Sequence, residues 1–220
     1  AHALPLLAAA LVLLARWRGA LGNRGLALGV LGAFLAAWPA SRPPADPNLL
    51  DLGPVVRTRT KEAQTPLGFE RTLRQSGHRL VFQREGAMAL VSVREARFDR
   101  FLLINGKVDA SSGKDMSTQL LCGALPFLFR PQASEVLVIG VGSGVSAAAV
   151  GDFPGVERLD VAEIEPAVTE AARTCFTEWN GGVLDRPTTR VLAADGRTWL
   201  ATSDTSYDVI VSQPTNPWVS

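Results

Sequence analysis

The chain has 220 residues, 47% of them hydrophobic, with 22 Lys and Arg against 21 Asp and Glu. This composition excludes a disordered or collagen-like chain. The formal charge of +1 is a sum over three unlike blocks: +3 over residues 1–40, +5 over 41–130 (14 bases, 9 acids) and −7 over 131–220 (5 bases, 12 acids). No nucleic-acid partner is expected, although the near-neutral total that argues against one hides blocks of opposite sign. Cys122 and Cys175 are too few for a disulfide framework and have no CxxC or His-rich neighbourhood, so no metal site is expected either.

Residues 3–15 (ALPLLAAALVLLA) and 25–40 (GLALGVLGAFLAAWPA) are uncharged apolar runs around the basic loop RWRGALGNRG. One spanning helix needs roughly 20 apolar residues, about 17 at the least. Both runs are short by that measure, yet no polar stripe interrupts either. Residues 1–40 are therefore read as a transmembrane helix pair, with a lipid bilayer as partner and a multi-pass membrane location. Arg16, Arg18 and Arg24 would hold their loop in the cytoplasm and send residue 41 onward to the other side. The chain begins at Ala1 and ends at Ser220, two residues after the motif-like Asn216-Pro217-Trp218, so further parts of a longer protein are expected.

Residues 41–60 start Pro-rich (SRPPADPNLLDLGP) and read as an extended linker. Val55–Lys61 alternates basic and β-branched residues, as a solvated edge strand does. Within 61–130, three runs have strand character: Arg79–Arg84, Ala87–Arg94 and Arg100–Asn105. Glu85-Gly86 and Asn105-Gly106 supply turns, which gives a small antiparallel sheet. His78, beside a glycine and with no acid or cysteine near it in the sequence, reads as an exposed turn residue rather than a catalytic base. Met116–Phe129 has apolar residues at helical spacing, broken near Pro126, with Ser111, Ser112 and Asp115 placed to cap it.

Residues 131–220 carry the chemistry. Val136–Ile139 is a buried strand that runs into Gly140-Val141-Gly142-Ser143-Gly144 and an Ala-rich helix. Glycines there let the main chain turn sharply and approach a ligand at a helix N-terminus. The spacing is GxGxG, not the GxGxxG of nicotinamide and flavin proteins. A second strand, Arg158–Ala162, ends in Glu163, which lies 23 positions after Gly140, where doubly wound folds hold ribose hydroxyls. Helix Ala167–Trp179 follows. A third strand, Thr189–Ala193, ends in Ala194-Asp195-Gly196, whose acid can meet an adenine amino group. A fourth, Tyr207–Val211, ends in SQPTNPW. All four strand ends fall on one rim, and both Glu163 and Asp195 could alternatively act as helix-capping acids.

The run from Arg79 to Ser220, with LLINGKVDAS, VLVIGVGSG, AEIEP, ADG and YDVIVSQPTNPW, resembles the spermidine synthase (polyamine aminopropyltransferase) family, in particular its membrane-fused branch. The resemblance implies a Rossmann-like, methyltransferase-type α/β doubly wound sheet in the order 3-2-1-4. It implies a donor, decarboxylated S-adenosylmethionine or S-adenosylmethionine itself, and a small-molecule amine or other acceptor. By the same resemblance Gly140, Gly142, Ser143 and Gly144 wrap the nucleotide chain, Glu163 holds the ribose, Asp195-Gly196 the adenine, and Asp109 stands at a ribose-binding position. Departures fall at the family's acids. Ser143 stands where its glycine loop has Asp, and Gln213 and Asn216 stand at the two carboxylates of its catalytic segment. Lys114 and Thr118 stand near an acid and a tyrosine of its amine pocket.

Three readings follow. The first is a membrane-tethered aminopropyltransferase-like enzyme with an altered polyamine pocket and Trp218 as a candidate wall. The second is a methyltransferase on the same fold, and the third a non-catalytic nucleotide sensor or transporter-associated domain. The donor argues for a cytoplasmic site although the Arg-rich loop argues the other way. A homo-oligomer through the β section is also expected.

Overall fold

The computed structural model describes residues 77–212, and the element order in them follows from two periodicities. Strands come first: β1 (Arg79–Glu85), β2 (Leu90–Ala96), β3 (Asp99–Ile104) and β4 (Lys107–Ser111) pair antiparallel in the order β1-β2-β3-β4. Asn105 and Gly106 have φ of 50° and 79°. Positive φ at both central residues is what a two-residue hairpin turn of matching twist needs. Asn105 also accepts the Leu90 N–H through Oδ1 at 2.9 Å. The three-strand expectation is thus corrected to four: KVDAS is too short and too polar to read as a strand alone, and the turn pairs it with β3.

The expected helix over 116–129 is two pieces, α1 (Met116–Ala124) and α2 (Pro126–Phe129), with the break at Pro126. Asp115 sits at the N-cap of α1 but its side chain makes no cap bond. Its N–H instead donates to Ser111 Oγ at 3.3 Å.

The second sheet is parallel. Strands β5 (Glu135–Ile139), β6 (Arg158–Glu163), β7 (Thr189–Ala193) and β8 (Val209–Ser212) lie in the order β7-β6-β5-β8, the expected 3-2-1-4. Helices α3 (Val145–Gly151), α4 (Pro166–Cys175), α5 (Thr177–Asn180) and α6 (Gly196–Thr202) alternate with the strands. Parallel strands buried on both faces read as near-continuous apolar runs, and Val136, Leu137, Leu159 and Val161 have no exposed surface. The helix expected over 167–179 breaks at Phe176, a fully buried ring outside helical geometry (φ −121°, ψ 10°).

Helix α4 joins the two sheets. Arg100 donates to the Cys175 carbonyl and lies over the Trp179 ring, Arg84 pairs with Glu170, and the Met88 N–H donates to Glu165 Oε2 at 2.9 Å. Gly86 lies so close to Glu165 that an added Cβ would sit 2.1 Å from its Oε1. The β section is therefore fixed over the carboxyl rim of the parallel sheet. The expected transmembrane pair (1–40) and linker (41–60) lie outside the described residues. Among the described residues no helix is long and apolar enough to cross a membrane.

Candidate functional site

A cavity of about 710 Å³ opens where the carboxyl ends of β5, β6, β7 and β8 face β4 and the start of α1. Open α/β sheets bind ligands at that rim. Gly140, Gly142, Glu163, Asp195, Gly196 and Asp109 all line it. Residues far apart in sequence, expected from their separate motifs to share a site, thus face one volume.

The glycine loop leaves β5 with Gly140 at φ +88°, and nothing lies within 4 Å of where a Cβ would be. A ligand can approach the main chain there. Gly142, at φ +53°, backs onto Ala110 of β4 at 3.9 Å. Glu163 is buried at the end of β6 and accepts the Val141 N–H on Oε2 and the Glu165 N–H on Oε1, both at 2.9 Å. An ionised carboxylate has about four lone-pair sites, so further acceptor capacity remains for hydroxyl donors. Burial pushes its pKa up, the two main-chain hydrogen bonds pull it back, and the Asp109 charge pushes it up again; the net shift is upward. Asp109, half-buried on β4, is also shifted upward by burial, against the pull of Lys107.

Asp195 has the helix-capping geometry weighed from the sequence. Its Oδ1 accepts the Thr198 N–H at 2.7 Å, and that bond holds its carboxyl below the usual range. It is nevertheless exposed on the cavity wall, so the cap orients it rather than hiding it. Gly196 is required by contact: a Cβ there would lie 2.6 Å from Ile139 Cγ2.

Two residues expected in the loop's contact with a nucleotide are placed elsewhere. Ser143 is fully buried and donates its hydroxyl to Gln119 Oε1, and Gly144 backs onto Asn180, whose Nδ2 would lie 2.9 Å from an added Cβ. Neither is on the cavity wall, because the loop turns into α3 after Gly142 and the next side chain points at α1. Thr118 lines the cavity, Lys114 does not, and Asp115, read from sequence as a cap, does. Gln119 was not singled out by its motif context. The signal was a lone amide four residues before Gly123 in an apolar helix. Gln213, Asn216 and Trp218 lie outside the described residues.

Residues 117–220 match the family model for the spermine/spermidine synthase domain. Over this part the chain is similar to the spermidine synthases. The polyamine aminopropyltransferase of Sodalis glossinidius (strain morsitans) is 28% identical over 132 residues, 60% of this chain and 46% of that relative. That of Serratia proteamaculans (strain 568) is 30% identical over 118 residues, 54% of this chain and 41% of its own. The chain spans about half the length of the curated relatives it matches. Spermidine synthase from Thermotoga maritima superimposes with a TM-score of 0.58 at 21% identity, over 63% of this chain and 48% of that one. At that identity the likeness concerns the fold alone.

Proposed function

We propose that the protein is a spermidine synthase-like transferase that binds an S-adenosylmethionine-type donor and moves its aminopropyl group to an amine. The observation that carries this reading is the convergence of Gly140, Gly142, Glu163 and Asp195 on one cavity at the carboxyl rim of a parallel sheet, in a stretch that matches the family. The relatives named polyamine aminopropyltransferase support it further.

In that reaction the acceptor nitrogen attacks the methylene beside the sulfonium. A C–N bond forms, the C–S bond breaks with its electron pair passing to sulfur, and the nitrogen releases a proton. The sulfonium already activates the carbon, so the protein contributes placement, a deprotonated amine and exclusion of water. Asp109 and Asp115 line the cavity on the β4 and α1 side, together with Lys107. Neutral Gln213 and Asn216 at the family's acidic positions support an altered acceptor pocket. The two apolar runs before residue 41 support a membrane tether.

A second reading, methyl transfer from S-adenosylmethionine, is favoured by Ser143. An uncharged side chain turned into the protein leaves no carboxylate at that point to repel the donor's own.

Calorimetry with both donors tests these readings. Tighter binding of the decarboxylated donor supports aminopropyl transfer, and the reverse preference supports methyl transfer. Binding of neither overturns both. Glu163→Ala should weaken donor binding about tenfold or more, ~1.4 kcal/mol; an unchanged affinity would show that Glu163 does not hold the ribose.

A further inference from the structure

Gln119 is 3% exposed on α1 and lines the cavity itself, and its polar atoms reach three other parts of the fold. Its Oε1 accepts the Ser143 hydroxyl from the glycine loop. Its Nε2 donates to the Ser111 carbonyl at the end of β4, at 2.8 Å. Its main-chain carbonyl accepts the Ser146 hydroxyl from α3 at 3.0 Å. Both ends of one side-chain amide are thus committed, one to the glycine loop and the other to the end of β4.

The backbone that carries this amide is itself fixed. Gly123, one turn further along α1, meets α3 so closely that a Cβ would lie 2.4 Å from the Ser146 carbonyl oxygen and 2.7 Å from Ala149 Cβ. With α1 seated on α3, the Gln119 side chain bridges the glycine loop and the end of β4, beside Gly142, which backs onto Ala110 of β4. Asp109 precedes Ser111 by two residues on β4, and Glu163 is tied to the loop through the Val141 N–H. The amide therefore lies in the chain of contacts that makes these two carboxylates face one volume.

We propose that Gln119 is a positioning residue for the donor site, one that spaces the glycine loop from β4 by bridging Ser143 and Ser111. This rests on the functional reading above, since it concerns the same cavity. A plain core role and a positioning role differ in what a double substitution restores. Gln119→Leu strands the Ser143 hydroxyl without its acceptor, which costs stability, whereas removing both partners of a buried hydrogen bond can be nearly neutral. The Gln119→Leu/Ser143→Ala double variant removes both partners of that bond, but it does not rebuild the link to Ser111.

The experiment uses the full chain, thermal unfolding, and calorimetry with decarboxylated S-adenosylmethionine and with S-adenosylmethionine. Gln119→Leu is expected to lower the unfolding midpoint and to weaken the binding of the donor that wild type binds by about tenfold, ~1.4 kcal/mol. The double variant should regain part of the midpoint, since the Ser111 carbonyl and the Val145 N–H still lose these side-chain partners, while its affinity stays low. Ser143→Ala alone, which keeps the Gln119–Ser111 bond, should lose less affinity than Gln119→Leu. If affinity returns together with stability in the double variant, or never falls in Gln119→Leu, the positioning role is overturned while the donor site stands. If wild type binds neither donor, the functional reading fails and this inference fails with it.

Discussion

Val141 donates its main-chain N–H to Glu163 Oε2 at 2.9 Å, so the glycine loop and the acid at the end of β6 are held as one unit. The motif that turns the chain toward a ligand also aims the carboxylate that would hold that ligand. In doing so it takes part of the carboxylate's hydrogen-bonding capacity and buries the rest, and the titration of Glu163 reflects both.

That titration makes donor binding pH-dependent. The Glu163 pKa is raised, first by burial, so it protonates above the ordinary carboxylate range as pH falls. A protonated carboxyl accepts fewer hydroxyl hydrogen bonds, and affinity should begin to decline above pH ~4.3, the ordinary Glu value. Calorimetry across a pH series checks this, and a decline confined to pH below that value would contradict it. The stability contribution has the opposite sign. Between the ordinary and the raised pKa the native state binds more protons than the unfolded chain, so this contribution falls as pH rises through that window.

Asp109→Asn should move that decline to lower pH. The Asp109 charge is one of the influences that raise Glu163, and the substitution removes it while nearly keeping the shape of the side chain. The midpoint of the binding-versus-pH curve is the measurement, and an unmoved midpoint would show that the two carboxylates are screened from each other.

Gly123→Ala should destabilise the fold. The new Cβ would meet the Ser146 main-chain oxygen at 2.4 Å, an atom that cannot move without moving α3. Overpacking of this kind costs ~1–3 kcal/mol, to be read as a lower urea midpoint at unchanged slope.

Tyr207→Phe tests a network on the parallel sheet that lies apart from the cavity wall. The Tyr207 hydroxyl donates to Asp160 Oδ2 at 2.6 Å and accepts the Trp199 indole N–H at 2.8 Å, while Arg190 donates to the same carboxylate. Asp160 has no exposed surface. Burial pushes its pKa up, but the hydrogen bonds from Arg190 and Tyr207 outweigh it and the net shift is downward. Loss of the hydroxyl leaves the indole donor without its acceptor, at a cost of ~1–3 kcal/mol. Chemical denaturation measures it, and a change within experimental error would mean that Trp199 finds another partner.

Much of the fold was legible locally. The strand–glycine loop–helix of residues 135–151 and the hairpin at Asn105-Gly106 are written in short stretches, because buried strands are apolar runs and positive-φ turns need particular residues. The order of the parallel strands followed from the family motifs. The strand Lys107–Ser111 was not legible, since its state comes from pairing with β3 rather than from its own residues.

The candidate site divides the same way. By itself the sequence determined which acids and glycines end each parallel strand, and hence that Glu163, Asp195 and the loop share a rim, because that rim is a consequence of chain order and strand direction. Only the tertiary structure decided where Ser143 points, that Gln119 bridges Ser143 and Ser111, and that Asp115 reaches the cavity wall without capping its helix. Side-chain direction in a packed interior is set by neighbours from distant segments, here α1, α3 and β4 meeting at Gly123 and Gln119, and no local pattern records which neighbours those are.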